Sequence, residues 1–443
     1  SGAVSGSASN CLFGNKSPMS KNTWMEAVSV FLIGMLTTGC TEAPPELLGP
    51  VQTLAHSGAS NPTVAGNAVV GRTYASWVAA DGDDWNVWLA RFEDGMPSQP
   101  VRVNDVDGDG APHLQAPAQV AVGPEGNVYA LWTNNKVVKG RRFPSSNLRF
   151  ARSTNGGHSF EPALTVNDDA GETPTSHTFH NLIVADDGTV IASWIDGRRQ
   201  PTLGGPAEGW EADPDRDVVN LETPGPDIRV AVSTNGGESF SASRIVDMEA
   251  CPCCRTSMAI GPDGTLFLAW RKIFEGDIRD IVVARSPDLG HTWEEPVRVA
   301  ADNWVFPGCP HAGPVLTVDT EGTLHVGWYT GRPDAPGIYY ARSEDSGRSF
   351  SERETVLTDE WVPPSQVALS ADPEGSLWVA WEDRRFEQPT IRYLVVRAGD
   401  PLPIETAMSQ PGTNPVLATV GEQSVLAWLN QDRVEMRSAL SPR

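Results

Sequence analysis

Cysteine is scarce in this chain, with six in 443 residues. Basic residues are also few, 33 Lys and Arg against 56 Asp and Glu, and six tyrosines stand beside fifteen tryptophans. So few cysteines exclude a disulfide-dense scaffold, and a net charge of -23 argues against nucleic acid or an anionic membrane surface as partner. Long apolar runs are missing except for Ala27 to Thr37, so no other segment is suited to spanning a bilayer. Gly (42) and Pro (36) are plentiful instead, over a length ample for a large core.

The one apolar run accounts for one cysteine. Lys21 supplies a positive n-region, and Leu36-Thr37-Thr38-Gly39-Cys40 looks like a bacterial lipobox. Residues 1–39 therefore read as upstream residues, including Cys11, followed by a signal peptide from Met19. Cys40 is the expected lipidation site, 40–49 a tether, and 50–443 a single folded domain. The expectation is an exported lipoprotein of a bacterial outer membrane, on its periplasmic side or at the cell surface. The membrane is then met only through the lipid anchor.

A β-branched strand closing on Trp recurs at Trp77, Trp132, Trp194, Trp270, Trp328, Trp381 and Trp428. Gly-containing turns such as Gly123-Pro-Glu-Gly126 and Gly261-Pro-Asp-Gly264 precede most of these strands and hand one antiparallel strand to the next. A third strand follows each Trp, and four of the third strands run into a shared octapeptide. Its copies are Ser153 to Phe160, Ser233 to Phe240, Ser286 to Trp293 and Ser343 to Phe350. The Asp or Asn caps a hairpin turn, Gly takes the positive φ, and the last aromatic plugs the unit. Seven units predict an all-β, seven-bladed β-propeller. The seventh unit lacks a fourth strand, and Pro50-Val-Gln-Thr-Leu54 is suited to supply it, so the ring closes by pairing N-terminal and C-terminal strands.

The octapeptides resemble the Asp-box, or bacterial neuraminidase repeat, of the sialidase superfamily, with Asn for Asp in the first two copies. The resemblance implies that these turns face away from the active site, which makes His158 and His291 surface turn residues. Sialidase domains are six-bladed, the alternative blade count here, and the count of seven departs from them. The Phe-Arg-Ile-Pro motif that gives a sialidase its first arginine is absent, and no Tyr with a Glu partner can be assigned as nucleophile.

The remaining four cysteines form Cys251-Pro-Cys253-Cys254 and Cys309-Pro-His311. In a propeller both segments lead into innermost strands of adjacent blades, near the mouth of the channel. His177 and His180 hold the matching place one blade earlier, and His113 two blades earlier. Thiolates and imidazoles suit copper or zinc, with Cu(I) favoured where thiolates crowd. Two disulfides, a vicinal Cys253–Cys254 bridge or a free reactive thiol are the other readings. Bacterial proteins labelled sialidase-like carry a similar Cys-x-Cys-Cys segment followed by Arg-Asp-Ile, Asp-x-Trp and Gly-Cys-Pro. Those motifs are here Arg279-Asp280-Ile281, Asp302-Asn-Trp304 and Gly308-Cys-Pro310.

Arg198, Arg271, Arg279, Arg332 and Arg384 all follow second strands and form a candidate anion-binding ring on the cysteine face. The competing reading is structural pairing with residues such as Asp196 and Asp383. Asp105, Asp107 and Asp109 resemble the first half of a calcium loop, against a solvated acidic turn. The loop from Gln200 to Asp227 is a candidate flap over the same face. Three functions follow as expectations. One is a thiophilic-metal protein for delivery, electron transfer or oxidative chemistry. Another is a sialidase-like glycoside hydrolase or glycan-binding propeller, and the third a protein-interaction scaffold.

Overall fold

Each repeat has too little apolar surface to form a core alone, so neighbours must stack. In the computed structural model they do so as seven antiparallel sheets, six within one repeat each and the seventh shared by both ends of the chain. The residues described are 48–55, 57–93, 96–138, 144–169, 175–199, 225–397, 400, 402 and 408–440. The expected signal peptide, Cys11, Cys40 and residues 200–224 of the expected flap lie outside them. One compact unit runs over Pro45–Arg443, and among the described residues no helix is long and apolar enough to cross a membrane.

The innermost strands are Thr63–Asn67, Gln119–Val122, His177–Val184, Ser257–Ile260, Val315–Val318, Val367–Ala371 and Thr413–Val420. Each touches the next, and the last returns to the first, which closes the ring around a cavity of about 310 Å³. All seven repeat tryptophans are buried, none more than 2% exposed. An indole of this size removes roughly 200 Å² from water, worth about 5 kcal/mol before entropy is counted. The fourth strand of the last blade is Gln52–Ala55, antiparallel to Arg433–Leu440 with Gln52 opposite Met436. This N-terminal strand covers the outer side of Arg433–Leu440 and gives the final sheet the four strands of a complete blade.

The octapeptides hold one geometry four times. Ser153 Oγ accepts from Gly157 N at 2.9 Å, and Asn155 Oδ1 accepts from Ser159 N at 3.1 Å. Ser233, Ser286 and Ser343 accept in the same way from Gly237, Gly290 and Gly347. The turn glycine then lies against the preceding blade: a Cβ on Gly237 would stand 2.8 Å from the Phe150 ring. His158 and His291 are exposed turn residues.

Candidate metal centre

The chain enters the fourth blade through a segment that cannot be regular strand, because Pro252 interrupts it and Glu249 sits at φ 62°. Ala250 forms an isolated bridge with Lys272, and Cys251 N donates to Arg271 O at 2.8 Å. The turn that follows gathers three thiols on one side. Cys251 Sγ is 3.6 Å from Cys253 Sγ and 3.7 Å from Cys254 Sγ, all three buried among Phe179, Ile195, Ile228 and Trp270. The next blade is reached through Cys309 and His311, the latter at φ 51°, and these meet Cys253. The donor atoms of Cys251, Cys253 and Cys254 lie within 4.8 Å of one another, as do those of Cys253, Cys309 and His311. No disulfide joins these four cysteines.

Two buried arginines set the electrostatics. Arg279 Nη1 donates to Cys251 Sγ at 3.2 Å while its Nη2 is held by Asp277 at 2.8 Å. Arg271 is anchored on main-chain oxygens of Arg279, Ala312 and Tyr329, with its guanidinium carbon 5.1 Å above the Trp304 ring. Burial pushes the Cys251 thiol up, but hydrogen bonds from Cys253 and Cys254 and the charges of Arg279 and Arg271 outweigh it. The group is held well below the usual thiol range. Burial and Cys251 push Cys254 the other way, to about 12. One sulfur is thus poised as an anion beside protonated neighbours.

The conspicuous short motifs converge here. Asp280 caps the Asn303–Trp304 turn through Asn303 N at 3.1 Å, which presents Trp304 to Arg271. Asp302 accepts from Trp328 Nε1 at 2.7 Å and ties the same turn to the fifth blade. A Cβ on Gly331 would stand 2.7 Å from the Trp304 ring, so glycine is what lets the indole lie flat there. Backbone strain collects in the same region, with Phe179, Glu249, Asp277, Asn303 and His311 at positive φ.

Several expected site residues take other roles. His177 lies between Ser146 O at 2.7 Å and Asp169 at 2.9 Å, close to Asp196, in an ion-pair network away from the sulfurs. Asp169, His177 and Asp196 would themselves be close enough to grip an ion. Arg198 already binds Asp196 in a fork at 2.9 and 2.8 Å, so the network is charge-compensated without one. His180 is buried with Nε2 on Leu131 O at 3.1 Å, and burial lowers it to about 4. His113 accepts from Gln115 N through Nδ1 at 3.1 Å and stands 6.3 Å, ring to ring, from His311. Burial and His311 lower it to about 4, making it a neutral neighbour of the site.

The five candidate arginines all have partners within the protein. Arg198 is locked on Asp196 and Asp168, Arg279 on Asp277 and Cys251, and Arg271 on carbonyls. Arg384 is 3.7 Å from Glu382, and Arg332 faces Asp302. Arg271 and Arg279 act together on the Cys251 sulfur and Arg271 and Arg332 on Asp302, while Arg198 and Arg384 are engaged with carboxylates of their own blades. The calcium set disperses: Asp105 accepts from Ala163 N, Asp107 pairs with Arg102, and Asp109 pairs with Arg149 at 2.8 Å.

The channel mouth is closed by groups with no obvious sequence signal. Gln115 Nε2 donates to Gln366 Oε1 at 2.9 Å, and Arg255 Nη2 reaches the same oxygen at 3.2 Å. Gln115 Oε1 accepts from Gly313 N at 3.1 Å, and Gln366 Nε2 donates to His311 O at 2.8 Å. These bonds join the second, fourth, fifth and sixth blades. Glu382 is buried next to this plug, and burial raises it to about 7.

No protein-family profile matches the chain, and no curated protein sequence does. Among solved structures it is similar to a PL25 ulvan lyase bound to an oligosaccharide, at 12% identity over 87% of this chain and 94% of that one, with a TM-score of 0.54. The polysaccharide lyase Uly1 is similar at 12% identity over 84% and 88%, with a TM-score of 0.50. The Hadza microbial sialidase Hz136 is similar at 16% identity over 83% and 76%, with a TM-score of 0.49. At these identities the likeness is one of fold: the chain is a seven-bladed β-propeller that shares its architecture with polysaccharide lyases.

Proposed function

We propose that this propeller binds a thiophilic metal ion at its cysteine face, copper(I) in preference to zinc(II), and serves in metal delivery. The carrying observation is the convergence of Cys251, Cys253 and Cys254 in a buried pocket, with Cys309 and His311 adjoining. Each donor set offers three ligands. Three soft donors suit Cu(I), whereas a structural zinc site takes four. Cys309 is exposed and His311 partly so, which gives a bound ion a route to an acceptor. Electron transfer or oxidative chemistry would use the same ligands. Anchoring through a lipid on Cys40 would place the protein where exported copper is handled, and loss of palmitate labelling in Cys40→Ser tests that part. The central test is anaerobic Cu(I) loading against a chromophoric chelator. Loading should fall in Cys251→Ser, which removes a ligand of the buried trio, and undiminished loading in that variant would overturn the reading.

A second reading, a glycan-binding or glycan-cleaving propeller, is supported by the architecture shared with ulvan lyases and by aromatic residues on the cysteine face. Trp361 is 67% exposed and Phe386 58%, and Arg385 links their loops through Asp359 at 2.9 Å. Exposed rings beside charged hydrogen-bonding groups suit sugar stacking. Binding of uronic-acid oligosaccharides that is lost in Trp361→Ala would favour it.

A further inference from the structure

The two donor sets share a member. Cys253 belongs both to the buried trio with Cys251 and Cys254 and to the outer trio with Cys309 and His311. Its sulfur is in hydrogen-bonding contact with all three other thiols. Three sulfurs each about 2.3 Å from a central ion in a trigonal plane stand about 4.0 Å apart. The 3.6 and 3.7 Å separations within the buried trio already approach that spacing. One ion cannot use all five donors, because they fall into two close groups rather than one.

We infer that the site holds two Cu(I) ions bridged by the Cys253 thiolate, an inner ion on Cys251 and Cys254 and an outer ion on Cys309 and His311. This rests on the metal reading above and adds to it a division of labour. The inner ion is enclosed by apolar side chains, and Arg279 offsets the negative charge on Cys251. It is retained. The outer ion sits on the exposed Cys309 and the partly exposed His311, and it is the one passed to an acceptor. The bridging thiolate couples them, since an ion leaving the outer position returns a full sulfur lone pair to the inner one.

The test is an anaerobic Cu(I) titration of the full chain with bathocuproine disulfonate as competitor, with bound copper counted after desalting. The wild type should hold two ions, the His311→Ala and Cys309→Ser variants one, and Cys253→Ser neither tightly. X-ray absorption of the loaded wild type should show a copper–copper path that vanishes in His311→Ala. A wild type that binds one ion, with His311→Ala and Cys309→Ser unchanged, overturns the two-ion site and leaves the metal reading standing. A folded wild type that binds none overturns both. Replacing the surface-accessible His311 separates loss of a ligand from loss of fold, and the intrinsic fluorescence of the buried tryptophans reports the fold in each variant.

Discussion

The guanidinium of Arg279 touches the sulfur of Cys251 at 3.2 Å, with both groups removed from solvent. A fully buried cation needs an anion, and Asp277 engages only part of this one. The pairing makes Cys251 the sulfur most ready to bind a metal without first losing a proton. Arg279→Gln keeps a hydrogen-bond donor and removes the charge. The Cys251 thiol should then titrate higher, and Cu(I) affinity should fall by about 10–100-fold, as when a group orienting a ligand is lost. Competition titration reads the affinity, and thiolate ultraviolet absorbance against pH reads the titration. Unchanged values in both would assign Arg279 to packing alone.

Glu382 couples the channel plug to pH. Its carboxyl is raised from 4.5 to about 7 by burial, Arg384 and Arg255 opposing the shift only in part. The folded state therefore holds a proton that the unfolded state releases. Stability is greatest below the unfolded value and declines as pH rises from about 4.5 to about 7, by at most about 3 kcal/mol. Glu382→Gln, which cannot ionise, should flatten this part of the profile. Urea midpoints measured across that interval check it, and a slope identical to the wild type would show that the carboxyl titrates normally.

The octapeptide glycines should be intolerant of a methyl group. Gly237 has φ 82°, and a Cβ there would meet the Phe150 ring at 2.8 Å in the neighbouring blade. Strain and overpacking together predict a loss of about 2–4 kcal/mol for Gly237→Ala. Gly188, also at positive φ but with nothing within 4 Å of its position, should lose only the conformational part. Chemical denaturation of the two variants separates blade packing from turn geometry.

The ring was legible in the sequence because its signal repeats. Trp328 is readable as a core residue from its six counterparts, and Pro50 to Leu54 as a closing strand from the gap in the seventh unit. The meeting of Cys253 with Cys309 was legible for the same reason, since topology alone brings the segments leading into adjacent inner strands together. Contacts that break the repeat were not. Nothing in the pattern distinguishes Gln115 and Gln366 as partners across 251 residues. A ligand-like residue type says nothing about direction: His177 faces Asp169 and Asp105 faces the Ala163 amide. A bulge between Thr178 and Asn181 shifts that strand, and the alternating carboxylates each found an amide or guanidinium nearer than any shared centre.

The closing strand also bears on handling of the protein in solution. Arg437 is buried at the seam, and its Nη2 donates to Leu48 O at 2.8 Å, so the residues just before Gln52–Ala55 are fastened as well as the strand itself. Removing residues 1–47 leaves both attachments intact, and the thermal midpoint should stay close to that of the full chain. Removing residues 1–56 takes away the strand and exposes the row of main-chain groups along Arg433–Leu440. An unpaired edge of that length recruits other strands, so the shorter protein should melt earlier and associate as concentration rises. Light scattering over a dilution series distinguishes the two truncations. A monomeric, equally stable 57–443 fragment would show that the last blade closes without its N-terminal partner.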